Sequence, residues 1–141
     1  MTSRVRSVSR LAIALVLLGA TRGTCPETVP ERLPDGNWGG EHVGMVVTDT
    51  GATLEYDCAA GRINGPLRLE SDGSFTWTGV HIPGHGGPIF IDEPPNEHPA
   101  RYTGHATSTT LQYTLEVLDM PGTVMTFTMK RGANPHVFKC L

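Results

Sequence analysis

From Val43 onward the chain alternates apolar with polar or small residues, breaks at short intervals on Gly, Asp, Ser and Pro, and nowhere sustains helical spacing beyond a turn or two. This pattern constrains the fold more than any other feature. Period 2 puts one set of side chains on one face of a sheet, and the short runs leave no room for crossover helices. Val43, Met45 and Val47 form one run, TDTG turns it, and Ala52, Leu54, Tyr56 and Cys58 return as a hairpin. The stretch from Arg62 to Glu70 carries Ile63, Leu67 and Leu69 on one face, SDGS turns it, and Phe75 and Trp77 continue. Gly65-Pro66 inside that stretch marks a bulge or an edge, because proline cannot donate to a ladder. After Arg101 to Ser108 come Leu111, Tyr113, Leu115 and Val117, an MPG turn, then Met125, Phe127 and Met129, and HVFKC ends the sequence.

Threonine dominates the opposite face, at Thr48, Thr53, Thr76, Thr78, Thr103, Thr114, Thr126 and Thr128, where a branched side chain suits a half-exposed sheet. About eight strands fit between the turns. Consecutive hairpins with one apolar face form a meander, which removes its edges most simply by closing. The expectation is a single up-and-down antiparallel β-barrel over residues 36–141, with an open β-sandwich as the alternative.

Ahead of that domain, Arg4, Arg6 and Arg10 precede an apolar run from Leu11 to Leu18 and then small residues, the order of parts of a signal peptide, assigned to residues 1–24. The run is shorter than the ~20 residues a membrane-spanning helix needs, so no transmembrane span is expected. Cys25 stands where a lipid-bearing cysteine would, but Thr-Arg-Gly-Thr precedes it, so simple cleavage and lipid anchoring both stay open. Residues 25–35, rich in proline, read as a flexible tether. The expected location is periplasmic or extracellular, with membrane anchoring through Cys25 as the variant. Four of the eleven basic residues lie in the leader and all fourteen acids lie after it, so the remainder carries a formal charge of −7. An acidic chain without a basic cluster argues against nucleic acid as a partner.

In an oxidising compartment Cys58 and Cys140, each at the end of a strand-like run, are expected to pair, leaving Cys25 over. Two buried free thiols are the alternative.

Gly36-Asn37-Trp38 ahead of the first alternating run, with Lys130-Arg131 at the end of a late one, resembles the calycin arrangement of lipocalins and avidins. That resemblance implies an indole at the barrel floor with a basic residue packed over it. The runs WGGEHVG, GATLEYDCAAG and the terminal FKCL are similar to small bacterial exported proteins or lipoproteins of uncharacterised role, which implies export and supplies no activity.

Residues 81–99, HIPGHGGPIFIDEPPNEHP, hold three histidines, three carboxylates, three glycines and five prolines. His81, His85 and His98 with Glu97 could bind zinc through imidazole and carboxylate donors. His81 and His85 share the spacing of helical zinc pairs, but Pro83-Gly84 forbids a helix, and the competing reading is a proline-stiffened loop with solvated side chains. Ile89, Phe90 and Ile91 in its middle fit a plug over a barrel end or an exposed anchor.

Catalytic signatures are absent from the sequence: there is no Gly-x-Ser-x-Gly elbow, GHGG lacks the lysine of a phosphate loop, and Asp92 and Glu93 are adjacent and so point apart in extended chain. Trp38, Tyr56, Trp77, Tyr102, Tyr113 and Phe90 are the candidates for a ligand cavity, against the alternative that they fill the barrel themselves. The expected function is a non-catalytic extracytoplasmic binding module for a small apolar or amphipathic ligand. The alternatives are an interaction or inhibitor module presenting the 81–99 loop to an envelope protein, and a weak metal-binding protein.

Overall fold

The computed structural model describes residues 28–85, 87 and 92–140. The leader, Cys25, Ile89, Phe90 and Ile91 therefore lie outside the described residues.

Eight strands, β1 (Gly36–Gly40), β2 (Val43–Thr48), β3 (Gly51–Tyr56), β4 (Ala59–Asn64), β5 (Ser74–Pro83), β6 (His98–Ala106), β7 (Thr110–Val117) and β8 (Val124–Arg131), follow one another in chain order. Each pairs antiparallel with the next, and β8 returns to β1 to close the barrel. The expected up-and-down barrel is the fold, and the sandwich alternative falls away. Closure rests on two pairs, Trp38 with Arg131 and Gly39 with Lys130.

Inside and outside follow the alternation. Met45 and Val47 on β2, Leu54 and Tyr56 on β3, Leu111 and Tyr113 on β7 are buried, whereas Val46, Glu55 and Gln112 between them are exposed. Fully burying a residue such as Leu115 stabilises by roughly 1.5–3 kcal/mol, and this interior is the principal source of stability.

Three local readings change. The run from Arg62 to Glu70 is not one strand: β4 stops at Asn64, Gly65 turns with φ +94°, and the chain crosses the barrel end. There it meets residues 31–35, read from sequence as tether. Leu33 N–H donates to the Leu67 carbonyl and Leu69 N–H to the Glu31 carbonyl, both at 2.9 Å, and Leu33 and Leu67 are completely buried. The two tryptophans secure this floor, Trp38 Nε1 donating to Pro34 O at 3.1 Å and Trp77 Nε1 to Arg68 O at 2.8 Å. Buried indoles need such acceptors, and these come from the crossing segments. Arg131 also lies at the floor, where it donates to the Asp35 carbonyl at 2.9 Å.

The third change concerns HVFKC. Gly132, with φ +74°, reverses the chain after β8, and residues 133–140 climb the outside of β1 as a strap toward the opposite end, the mouth. A Cβ at Gly39 would sit 2.3 Å from the Ala133 carbonyl oxygen, so glycine there is what lets the strap lie flat. At the mouth His42 N–H donates to the His136 carbonyl at 2.8 Å, and the strap ends in the Cys58–Cys140 disulfide.

Candidate ligand cleft at the barrel mouth

The mouth is ringed by the β1–β2, β3–β4 and β7–β8 turns and the β5–β6 connection. Short strands set its depth. β3 ends at Tyr56 and β4 begins at Ala59, while β5 continues upward through His81 to Pro83. Between these elements and Met125 and Phe127 of β8 lies a half-open cleft of about 530 Å³. That volume is within the ~300–1,000 Å³ typical of small-molecule sites. His42, Asp57 and Cys58 from the two neighbouring turns form its rim.

An aromatic cluster forms the cleft's base. The Tyr56 and Phe127 ring centroids are 4.9 Å apart, Tyr113 and Phe127 5.5 Å, and Tyr102 and Tyr113 5.8 Å, all tilted. The phenols satisfy one another: the Tyr56 and Tyr113 hydroxyls lie 2.9 Å apart, and Tyr102 donates to the Val80 carbonyl at 3.0 Å. Tyr102 fits because position 61 is glycine, whose absent Cβ would stand 2.9 Å from the phenolic oxygen. Burial pushes the Tyr56 and Tyr113 phenols far above their ordinary value and Tyr102 up to about 12, so all three are uncharged hydrogen-bonding groups.

His81 is the buried polar residue of the wall, 6% exposed. Its ring tilts against Tyr56 at 5.7 Å, and its Nδ1 has no hydrogen-bond partner. Burial first, and the nearby His98 second, hold its pKa below the ordinary histidine value.

The rim is a polar latch. His42, in the left-handed region at φ 64°, pairs through Nδ1 with Asp57, and the other Asp57 oxygen accepts the Phe138 backbone N–H at 2.8 Å. The latter bond, with the His42 contact, holds the Asp57 carboxyl below its usual range. His136 reaches Glu41 at 2.8 Å, and Phe138, 54% exposed, tilts against both His136 and His42.

Of the aromatic candidates, Tyr56 lines the cleft, and Tyr102 and Tyr113 lie in the cluster that supports it. Trp38 and Trp77 belong to the floor plug, Trp77 stacked on Phe75 at 3.7 Å. The candidate zinc donors are not gathered. His81 and His98 are cross-strand partners, but His98 is held by Asp119 at 3.0 Å and Asn96 at 3.0 Å, Glu97 by Arg62 at 3.0 Å, and His85 by Glu93 at 2.9 Å. Among the described residues no three His, Cys, Asp or Glu side chains converge as a metal site.

Met125, Phe127, Ala59, Pro83, His42 and Asp57 join the site without having been singled out for it. Alternation in TVMTFTMK already faced Met125 and Phe127 inward; nothing local placed them opposite Tyr56.

No family model, curated protein or solved structure matches this chain. The reading of the site therefore rests on its own chemistry.

Proposed function

We propose that this protein is an extracytoplasmic, non-catalytic binding module whose mouth cleft holds a small, predominantly apolar ligand. The observation that carries the reading is the cleft itself: a recess of about 530 Å³ walled by Tyr56, Met125, Phe127, Ala59 and Pro83, on a barrel whose other end is plugged. Aromatic and thioether walls reward an apolar body, and the rigid barrel keeps the recess open without a ligand.

Export follows from the leader reading, with the periplasm or extracellular space as the destination. The disulfide is compatible with an oxidising compartment. Among the described residues no helix is long and apolar enough to cross a membrane.

The test is Ala59→Trp, which fills the half-buried Ala59 position in the cleft wall. Nile red and a varied set of apolar compounds are titrated into the wild type and the variant, with amide chemical shifts of Tyr56, Ala60 and Phe127 as the readout. Saturable shifts at these positions in the wild type, weakened at least tenfold in the variant, support the reading. Unchanged binding in the variant, or no saturable shift in the wild type, counts against it. Tryptophan emission is a poor reporter here, because both indoles lie at the floor.

A further inference from the structure

The cleft contains one polar group that the barrel leaves unanswered. His81 forms part of the wall, is 6% exposed, and keeps Nδ1 sealed from solvent with no partner. A buried polar atom without a hydrogen bond is costly, and native proteins rarely leave one without a reason.

The neighbours are committed elsewhere. The Tyr56 hydroxyl is engaged by Tyr113 and the Tyr102 hydroxyl by the Val80 carbonyl. His98, the cross-strand partner of His81, is held by Asp119 and Asn96. Of the remaining wall, Ala59, Pro83, Met125 and Phe127 carry no side-chain nitrogen or oxygen, and the Thr126 hydroxyl is paired with that of Thr114 at 3.2 Å.

We propose that the cleft selects a small neutral ring compound bearing one hydroxyl, such as a phenol, with the hydroxyl bonded to His81 Nδ1 and the ring against Tyr56 and Phe127. This rests on the cleft being the binding site. A hydroxyl is specified because a neutral imidazole nitrogen is an acceptor in one tautomer and a donor in the other, and a hydroxyl answers both. The soft terminal torsion of histidine lets a bound hydroxyl draw the nitrogen toward the cleft.

Charge disfavours an anionic ligand head. No lysine or arginine lines the cleft among the described residues, burial favours the uncharged His81 imidazole, and the rim His42 is already paired with Asp57, so a carboxylate finds no unpaired cationic side chain there. The rim acid Asp57 is turned toward His42 and Phe138 and adds repulsion for an anion.

The experiment compares 2-naphthol, naphthalene and 2-naphthoate on the full domain, reading affinity from cleft amide shifts and following the His81 ring nitrogens by 15N NMR. The expected result is 2-naphthol binding about tenfold tighter than naphthalene, a factor typical of one net hydrogen bond. Only 2-naphthol moves the His81 Nδ1 resonance, and the preference disappears in His81→Phe. Equal affinity for 2-naphthol and naphthalene, or tightest binding of 2-naphthoate, overturns the hydroxyl inference and leaves the apolar cleft standing. No saturable shift with any of the three overturns both. If His81→Phe fails to fold, the wild-type affinity ratio and the Nδ1 shift decide the matter without it.

Discussion

Opening the Cys58–Cys140 disulfide isolates what the C-terminal strap contributes. The two cysteines are 82 residues apart in sequence, with Cα atoms 5.0 Å apart in the fold. For a loop of that length the chain-entropy treatment gives about 4.5 kcal/mol of stabilisation, acting on the unfolded chain. Domains of this size have only about 5–15 kcal/mol in total, and the loss corresponds to a fall in Tm on the order of 20 °C. On the folded side, what remains for the strap is its backbone hydrogen bonds with Gly40 and His42 and a set of exposed contacts, the Phe138 amide with Asp57 and the ion pairs of His136 with Glu41 and Lys139 with Glu55. Exposed ion pairs of this kind contribute roughly 0–1 kcal/mol each. The double variant Cys58→Ser/Cys140→Ser should therefore lose about 4.5 kcal/mol in urea titrations and show a larger m-value, because its unfolded chain is freer to expand. Amide exchange should quicken at residues 136–139 while Tyr113 and Leu115 remain the most protected. A loss below about 1.5 kcal/mol with an unchanged m-value would refute the loop-entropy reasoning. Undiminished protection of the strap would show that its surface contacts suffice to hold it.

Two further outcomes follow from the burial pattern. Leu33→Ala should cost about 2–5 kcal/mol in chemical denaturation, the usual range for a buried leucine, because Leu33 is completely buried against the Leu67 segment; a cost under ~1 kcal/mol would mean the floor plug is dispensable. His81 is held below the ordinary value of 6.5, so its neutral burial contributes fully above that pH, and the contribution is lost as pH falls through the depressed folded value, where the unfolded chain takes the proton first. Stability measured from pH 7.5 downward should decline more steeply below 6.5 in the wild type than in His81→Phe, and identical slopes would argue against a buried neutral imidazole.

Much of the barrel was legible because its information is local. The alternation of Val43, Met45 and Val47, or of Leu111, Tyr113, Leu115 and Val117, assigns inward faces without reference to anything distant. The errors fell where a local pattern met a non-local partner. Leu67 and Leu69 continue the spacing of Ile63, but the Leu33 and Leu69 amides find their carbonyl acceptors 34 to 38 residues away, across the barrel end. HVFKC has strand-like composition, yet the strap it ends forms no ninth strand: it meets the end of β1 and the turn after it through the His136 N–H to Gly40 carbonyl bond and an isolated parallel bridge between Glu41 and His136.

The site divides in the same way. Aromatic residues at Tyr56, Tyr102 and Tyr113 could be marked as candidates from the sequence alone, and so could the histidines of the 81–99 stretch. Their roles required closure of the sheet, which sent Trp38 and Trp77 to the floor and brought Phe127 of the last strand beside Tyr56 of the third.

By itself, then, the sequence determined an all-β meander and most of the side chains that face inward, since period 2 and turn residues are properties of neighbouring residues; it raised the Cys58–Cys140 pairing as an expectation, which closure of the fold then realised across 82 residues. Tertiary structure alone decided which end is plugged, that His98, His85 and Glu97 are spent on Asp119, Glu93 and Arg62, and that His81 Nδ1 is left without a partner in the cleft wall. The physical reason is that hydrogen-bond satisfaction and enclosed volume depend on which strands meet across the barrel, and no alternation of residues along one strand records that.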